Sequence, residues 1–548
     1  MEDQPEFADS LCQRTTAEHP RKPQRPGTRA LPPVTMLTGI QAHPTGGDSA
    51  EILVAIDVGT SGARAAAYDV AGRLAGEVRR SYPTDVGSDG RAEQDANRWR
   101  SASLSALEGL VRELGPKKQI RAIGLTGQCP SVVPLDGRDR PLRPGLIYRD
   151  NRAAAEALEI RRQFGDQAFH QRTGHLPAAF HVAAKIVWMR HHEPALFEAT
   201  RRFVEPSDYV ALSLTGENAT DWTVATASAL FNVRERRWDE VILEGLDLEP
   251  SMLPIAYPSW SVIGELRPAL RHRLGISNTV PVVIGCGDSL ACAFGAGVIE
   301  PGPISEMAGS STCLNSVVPE PLAGLDITNY PNLLPGGGYF TEVGINTTGE
   351  AIQWLARLAY GGRTGRPTAA DYARIDAEAA SVAAGADGLV VVPVLGDGER
   401  DDPNLRGAAV GLSLRHGRAA LARAVLEGVA YGMRVRVDAL AAAGSAATEL
   451  RVSGGDTRLG TWNQIKADVL GIPVRRVAGD ATAVGAALLA GLGVGVYRDA
   501  AEAVVVAGRP EPAIEPDPAA HVRYSELYAA YQRLVESPTI HVGGEHPR

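Results

Sequence analysis

The chain is expected to be an α/β protein built from two related halves, and three features of the sequence carry that expectation. Apolar runs end at turns rich in glycine and polar groups: ILVAIDVGTSGARAAAYDVAG from Ile52, IRAIGLTGQ, PVVIGCGD, LVVVPVLGDGE and ELRVSGGD. Between them lie segments of helical periodicity, at 96–114, 152–164, 415–443 and 461–470. Strands alternating with helices stack as α/β layers. Last, PISEMAGSSTCLN, from Pro303, repeats the plan of AIDVGTSGARAAAYD: strand, Gly/Ser/Thr turn, strand.

At 548 residues the chain exceeds one ordinary domain. Its 55 Lys and Arg against 64 Asp and Glu leave a formal charge of −9, with 44% apolar and 22% charged residues. That acidic balance supplies no net field for phosphate backbones or anionic lipid, so neither a nucleic-acid binder nor a membrane-surface binder is expected. The five cysteines, at 12, 129, 286, 292 and 313, are too scattered for a disulfide framework. Cys286 and Cys292 are too far apart for a CxxC zinc pair. A reducing cytoplasm is the expected compartment.

Residues 1–50 read as a disordered tail, because Pro, Gly, Thr and charge dominate and no apolar period or secretory core appears. Met36 is an alternative start. The longest apolar stretch, Ala481 to Tyr497, is broken by glycines and falls short of the roughly 20 residues of a membrane span. It is expected as a buried helix. The ordered chain divides near 296, into 51–295 and 296–535, with 536–548 as a second tail.

Four turns carry chemistry. Asp57-Val58-Gly59-Thr60-Ser61-Gly62 follows the first strand, and its glycines let backbone N–H groups surround an anion. Thr60 and Ser61 add hydroxyls, and Asp57 stands where a carboxylate holds Mg²⁺ directly or through water. Arg64 and Asp69 follow in the next strand, and the absence of GK[ST] excludes a Walker loop. Gly285-Cys286-Gly287-Asp288-Ser289 closes PVVIG and clears space around one carboxylate, a setting for a general base. Gly309-Ser310-Ser311-Thr312 offers a second hydroxyl-rich turn. Gly454-Gly455-Asp456 precedes a helix with Trp462 and Gln464, where a Gly-Gly turn admits a flat base or phosphates. Each motif alone also fits an ordinary turn or helix cap.

Their order and spacing point further. From about residue 52 to about 535 the chain resembles the FGGY family of carbohydrate kinases, of the actin-like (ribonuclease H-like) superfamily, and is most similar to its xylulokinase branch. AIDVGTSG, VEPSDYVALSLTGENATDWTVATASALFN, GCGDSLACAFGAG, the segment from PVLGDGE to VAYGM, and LRVSGGDTRLGTWNQIKADVLGIPVRR carry the resemblance in the family's order. It implies two actin-like domains with a nucleotide/sugar cleft between them, and ATP-dependent phosphorylation of a sugar hydroxyl, a ketopentose such as D-xylulose. It casts Asp288 as proton acceptor and Asp57 as the residue toward Mg²⁺ and the phosphates. Gly59, Thr60, Ser61, Gly309, Ser310, Gly349, Gln353 and Gly455 would meet the nucleotide. Gln128, Cys129, Pro130, Asp150 and Asp288 would meet the sugar. ATP and Mg²⁺ are the implied cofactors and a small sugar or polyol the partner; a homodimer stays open.

Departures from the family pattern bear most on the substrate. The usual GQMHG reads Gly127-Gln128-Cys129-Pro130-Ser131, so the Met-His pair that touches a ketose is replaced. LWxDxR reads Ile147-Tyr148-Arg149-Asp150-Asn151-Arg152, SGERTP reads Asp397-Gly398-Glu399-Arg400-Asp401-Asp402, and Ala409 stands for a larger apolar residue. Changing a hydroxyl's partner redirects specificity, so ribulose, a sugar alcohol or a sugar acid remain alternative acceptors. A non-catalytic sugar sensor on this fold would carry a helix-turn-helix ahead of the first hairpin, and residues 1–50 have no such pattern.

Overall fold

The structure, a computed structural model, describes residues 51–541 apart from 361–366, 397, 400, 401, 403 and 508–510. The tail expected at 1–50, the residues after 541, the side chain of Asp456, and Asp397, Arg400 and Asp401 lie outside the described residues. β1 (Glu51–Val58) is buried from Ile52 to Ile56, so both of its faces are covered, as in a central strand. It pairs antiparallel with β2 (Gly62–Asp69), which pairs with β3 (Leu74–Ser81). α1 (Ala96–Leu114) starts where the Asp95 side chain accepts from Asn97 N and stops at Gly115, whose φ is 69°. It leads to β4 (Gln119–Gly127), parallel to β1.

A long insertion follows, containing α2 (Val182–His192), α3 (Pro206–Thr215) and α4 (Trp222–Ala227). β5 (Val262–Glu265), β6 (Pro281–Gly287) and α5 (Asp288–Gly295) complete the first unit, with sheet order β5-β6-β4-β1-β2-β3.

The second sheet comprises β7 (Pro303–Ala308), β8 (Thr312–Val318), β9 (Thr328–Pro331), β10 (Tyr339–Ile345), β11 (Glu449–Gly454) and β12 (Val474–Arg476). Its order is β9-β10-β8-β7-β11-β12. Around it lie α6 (Gly349–Ala359), α7 (Arg418–Ala442) and α8 (Gly460–Leu470). Without the edge strands β5 and β9, the two sheets read β3-β2-β1-β4-β6 and β10-β8-β7-β11-β12. Each is an antiparallel hairpin triplet followed by two strands parallel to its first. The degenerate echo in the sequence is therefore a repeat of topology, the actin-like α/β plan used twice.

Three details differ from a simple reading along the chain. α9 (Ala481–Gly493) is buried over almost its whole length, but it packs on β1, β4 and β6 of the first sheet, long after the chain has left it. There its backbone meets α5 directly: a Cβ on Gly485 would lie 1.9 Å from Ala291 O, and one on Gly295 1.9 Å from Ala481 O. Leu53, Phe294, Phe340 and Leu489 share one core, so the two sheets are joined through this helix pair. LVVVPV yields only the short strand Val390–Val392, paired with Ala408–Val410 outside the second sheet, because Pro393 has no N–H to continue a ladder. Residues 536–541, expected in the second tail, follow α10 (Pro518–Val535) and return to pair His541 with Leu405. Among the described residues no helix is long and apolar enough to cross a membrane.

Candidate active site

Register assembles the first half of the site. Val58 is the ladder partner of Gly127, and Gly127 of Gly287, so Gly59, Gln128 and Asp288 leave three adjacent strands side by side. This is the carboxyl edge of parallel strands, where α/β sheets bind ligands. In the Gly59–Ser61 turn the carbonyls are held inward. Gly59 O accepts from Tyr82 OH at 2.5 Å, Thr60 O from Gln94 Nε2 at 2.7 Å, and Ser61 O from Tyr82 N at 3.3 Å. Gly59 N donates to Gly62 O at 3.1 Å, and with the carbonyl oxygens held by these partners the N–H groups of Thr60 and Ser61 are the turn's donors toward an anion. A Cβ on Gly59 would stand 3.7 Å from both carboxylate oxygens of Asp57, so the glycine keeps the space above that carboxylate clear.

Asp57 is half-buried, and its Oδ1 is buried with no hydrogen-bond partner. Burial, then the charge of Asp480, push its pKa up to about 7, against the opposing pull of Arg64 and Arg79. Arg64 itself is pinned between Glu77, at 2.7 Å, and Asp480. An unsatisfied carboxylate oxygen in an electronegative corner fits a hard divalent cation. Asp288, at the start of α5, accepts from Ser289 N at 2.8 Å, and burial followed by the charges of Asp57 and Glu342 raises its pKa to about 8.

Cys129 Sγ lies against the same strand end: a Cβ on Gly287 would be 2.8 Å from it. Burial, then Asp288, push the Cys129 thiol well up. Pro130 O and Ile147 O both accept from Lys185 Nζ, at 3.3 and 2.8 Å. Lys185 is fully buried, and desolvation lowers its pKa to about 7. Tyr148 hydrogen-bonds to Thr60 beside Asp288 and Cys313, and burial raises its phenol.

Two expected sugar contacts do not face the cleft. Gln128 is 2% exposed and lies beneath the Gly59–Ser61 turn, its Nε2 donating to Gln94 Oε1 at 2.8 Å. Asp150 is 0% exposed and saturated by Ala92 N at 2.9 Å and by Arg152 Nη2 at 2.7 Å. Both therefore shape the site from behind. Ser131, which follows Pro130, is equally sealed, its N–H donating to Glu205 Oε2 at 2.9 Å.

The second sheet supplies a matching edge. Gly309 O accepts from Gly349 N at 3.1 Å, and Ser310 O from Thr348 N at 3.2 Å and Glu350 N at 3.1 Å, so the second turn caps α6. Ala308 is paired with Gly454, which brings Gly455 out beside Gly309. Gly309, Ser310, Gly349 and Gly455 thus converge, with half-buried Gln353 on α6. Across the gap Arg149 Nη2 stands 3.8 Å from Glu350 Oε1.

Tyr82, Gln94, Tyr148, Lys185 and Glu342 were not singled out from the sequence. A faint signal existed for Lys185, a lone cation within the apolar run VAAKIVWM; the others reach the candidate site only through tertiary placement.

Comparison with known proteins agrees with this geometry. The descriptions of the FGGY family of carbohydrate kinases, N-terminal and C-terminal domains, match residues 52–295 and 306–494. The xylulose kinase of Escherichia coli (strain K12) is 28% identical over 486 residues, covering 87% of this chain and 96% of its own. The glycerol kinase of Gloeobacter violaceus is 32% identical over 500 residues, covering 88% and 96%. The crystal structure of xylulose kinase from Rhodospirillum rubrum superposes with a TM-score of 0.81 at 32% identity, over 88% of this chain and 98% of that one. The chain belongs to the FGGY family of carbohydrate kinases, enzymes that pass a phosphoryl group from ATP to a sugar hydroxyl.

Proposed function

We propose that this kinase phosphorylates a ketopentose of the D-xylulose type, with Asp288 as the base and the Gly59–Ser61 turn at the transferred phosphate. The observation that carries the reading is the strand register that sets Asp57, the phosphate turn and Asp288 beside one another, opposite the Gly309–Ser310 turn. The relatives named xylulose kinase support the substrate class.

Phosphoryl transfer depends on positioning and charge neutralisation more than on covalent chemistry. Asp57, with its unpartnered Oδ1, would hold Mg²⁺ on the ATP phosphates, and the ion would neutralise charge developing there. Asp288 accepts the proton of the sugar hydroxyl as that oxygen bonds to the γ-phosphorus, while the bond from that phosphorus to the β–γ bridging oxygen breaks and ADP leaves. Thr60, Ser61 and the N–H groups of their turn orient the phosphate from one side, and Ser310 from the other. Gly349, Gln353 and Gly455 line the nucleotide, while Cys129, Pro130 and Tyr148 wall the sugar. Closure of the two edges excludes water as a competing acceptor.

A second acceptor class, a sugar acid, is favoured by one observation: Arg149 brings a half-exposed guanidinium between the lobes. Coupled ADP release, screened across pentuloses, hexuloses, polyols and sugar acids, decides between them. Ketopentoses are expected to give the highest kcat/KM. A clear preference for glycerol or a sugar acid overturns the proposed substrate, and ADP release independent of any sugar overturns the acceptor chemistry.

A further inference from the structure

The end of β6 is not held by its ladder alone. The β6–β4 register shifts between Val283 and Cys286, and Gly285 sits in the left-handed region at φ 73°, where a Cβ would lie 1.5 Å from Leu125 O. Such an irregularity re-aims the residues that follow it, here Asp288. Something else must fix the strand end.

Two N–H groups of this segment point out of the sheet to side-chain-bearing neighbours. Gly285 N donates to Ser259 O at 3.0 Å, and Gly287 N donates to Thr223 Oγ1 at 3.1 Å. Both neighbours lead to one carboxylate. Ser259 Oγ donates to Asp221 Oδ2 at 2.6 Å, and Thr223 Oγ1 donates to Asp221 Oδ1 at 3.1 Å. Asp221 also caps α4, accepting from Thr223 N at 2.8 Å and Val224 N at 3.0 Å. Asp221, Thr223 and Ser259 are no more than 1% exposed.

Donor and acceptor bookkeeping gives the network a direction. Gly287 N–H can only donate, so Thr223 Oγ1 must offer it a lone pair. The hydroxyl proton of Thr223 is then committed elsewhere, and ionised Asp221 is the acceptor that takes it. We propose that Asp221, acting through Thr223 and Ser259, is a positioning residue that holds Gly285 and Gly287 and thereby aims Asp288 at the sugar hydroxyl. The inference rests on the reading of Asp288 as the base.

The test compares Thr223→Val, Thr223→Ser and Asp288→Asn in the full chain with ATP, Mg²⁺ and the best sugar from the screen. Thr223→Val keeps the shape but deletes the acceptor for Gly287 N–H. It is expected to lower kcat about 10- to 100-fold, with the KM for ATP changed less than about twofold, because a misplacement near 1 Å costs rates of that order. Thr223→Ser, which restores the hydroxyl, is expected within about threefold of the parent kcat. Normal kcat in Thr223→Val, or equal damage in Thr223→Ser, overturns the inference. If Thr223→Val does not accumulate folded, Ser259→Ala tests the other arm: lower kcat at an unchanged KM for ATP supports the positioning role, and unchanged kcat overturns it. Asp288→Asn separates the two readings, since a fully active Asp288→Asn defeats the base itself, whereas an inactive one beside a normal Thr223→Val defeats only the positioning.

Discussion

Ser289 donates its hydroxyl to Glu342 Oε2 at 2.6 Å, so the neighbour of the proposed base on α5 is bonded to a strand of the opposite sheet. The Glu342 charge is also one of the causes that raise Asp288. Glu342→Gln keeps an oxygen to accept from Ser289 but removes that charge. Ionised Asp288 is then less disfavoured, and the acid limb of kcat/KM, which lies near pH 8 for a base of pKa about 8, moves to lower pH. Activity falls as pH drops through this limb, because a carboxyl that is already protonated cannot take up the proton of the sugar hydroxyl. An unmoved limb in a pH–rate profile would show that Glu342 does not act on the base.

Asp288→Asn removes the proton acceptor at nearly constant shape. Turnover is expected to fall by about 10²- to 10⁴-fold while ATP affinity, read by calorimetry, stays close to that of the parent. Near-normal turnover rules out Asp288 as base.

The phosphate turn predicts a separation between folding and binding. At Gly59 an added Cβ meets only ordinary contacts, the nearest 3.5 Å away, so Gly59→Ala is expected to fold normally. Gly59→Val, branched at Cβ, crowds the space above Asp57 and is expected to weaken ATP binding. Asp57→Ala is expected to impair turnover with every sugar. Normal rate and normal Mg²⁺ dependence in Asp57→Ala would leave the turn a purely structural feature.

Sugar preference is predicted to follow Cys129 and Pro130. Neither offers a strong hydrogen bond to a hydroxyl, and Ser131 is sealed behind them. A buried hydroxyl without a partner costs on the order of 1–3 kcal/mol. Cys129→Met combined with Pro130→His is therefore expected to raise kcat/KM for D-xylulose relative to other accepted sugars. An unchanged ranking across the substrate panel refutes this.

Asp57 and Asp288 also tax the ligand-free fold. Their folded pKa values, about 7 and about 8, exceed the ordinary 3.8 of an aspartate, so the folded state holds protons that the unfolded state releases. The stability this contributes is complete below about pH 4 and is lost as pH rises toward 8. Asp288→Asn, which never ionises, is expected to melt higher than the parent at about pH 8, with the gap closing toward about pH 4. Thermal melts of the ligand-free proteins across that range check the sign.

Much of the candidate site was legible because its residues punctuate strands. Asp57, Gly59, Asp288, Gly309 and Gly455 each stand where an apolar run meets glycine, and strand pairing gathers the first three at one sheet edge and the last two at the other. Side-chain direction was not legible. Gln128 and Asp150 lie at the expected places in the chain, yet one turns under the phosphate loop and the other into Arg152. Asp221 and Lys185 meet partners far along the chain, Ser259 and the carbonyls of Pro130 and Ile147, and the sequence does not say which partners those are. The alternation of strands and helices foretold the layers, but it gave no sign that α9 would cover the first sheet.

That helix has a consequence for biosynthesis. Since α9 seals β1, β4 and β6 through glycine-close contact with α5, the first sheet stays incompletely covered until residues 481–493 have been made. A nascent chain ending at Gly295 therefore presents an open apolar surface to the ribosome exit and to chaperones. A fragment cut there is accordingly expected to gain solubility when a separate peptide bearing α9 is supplied.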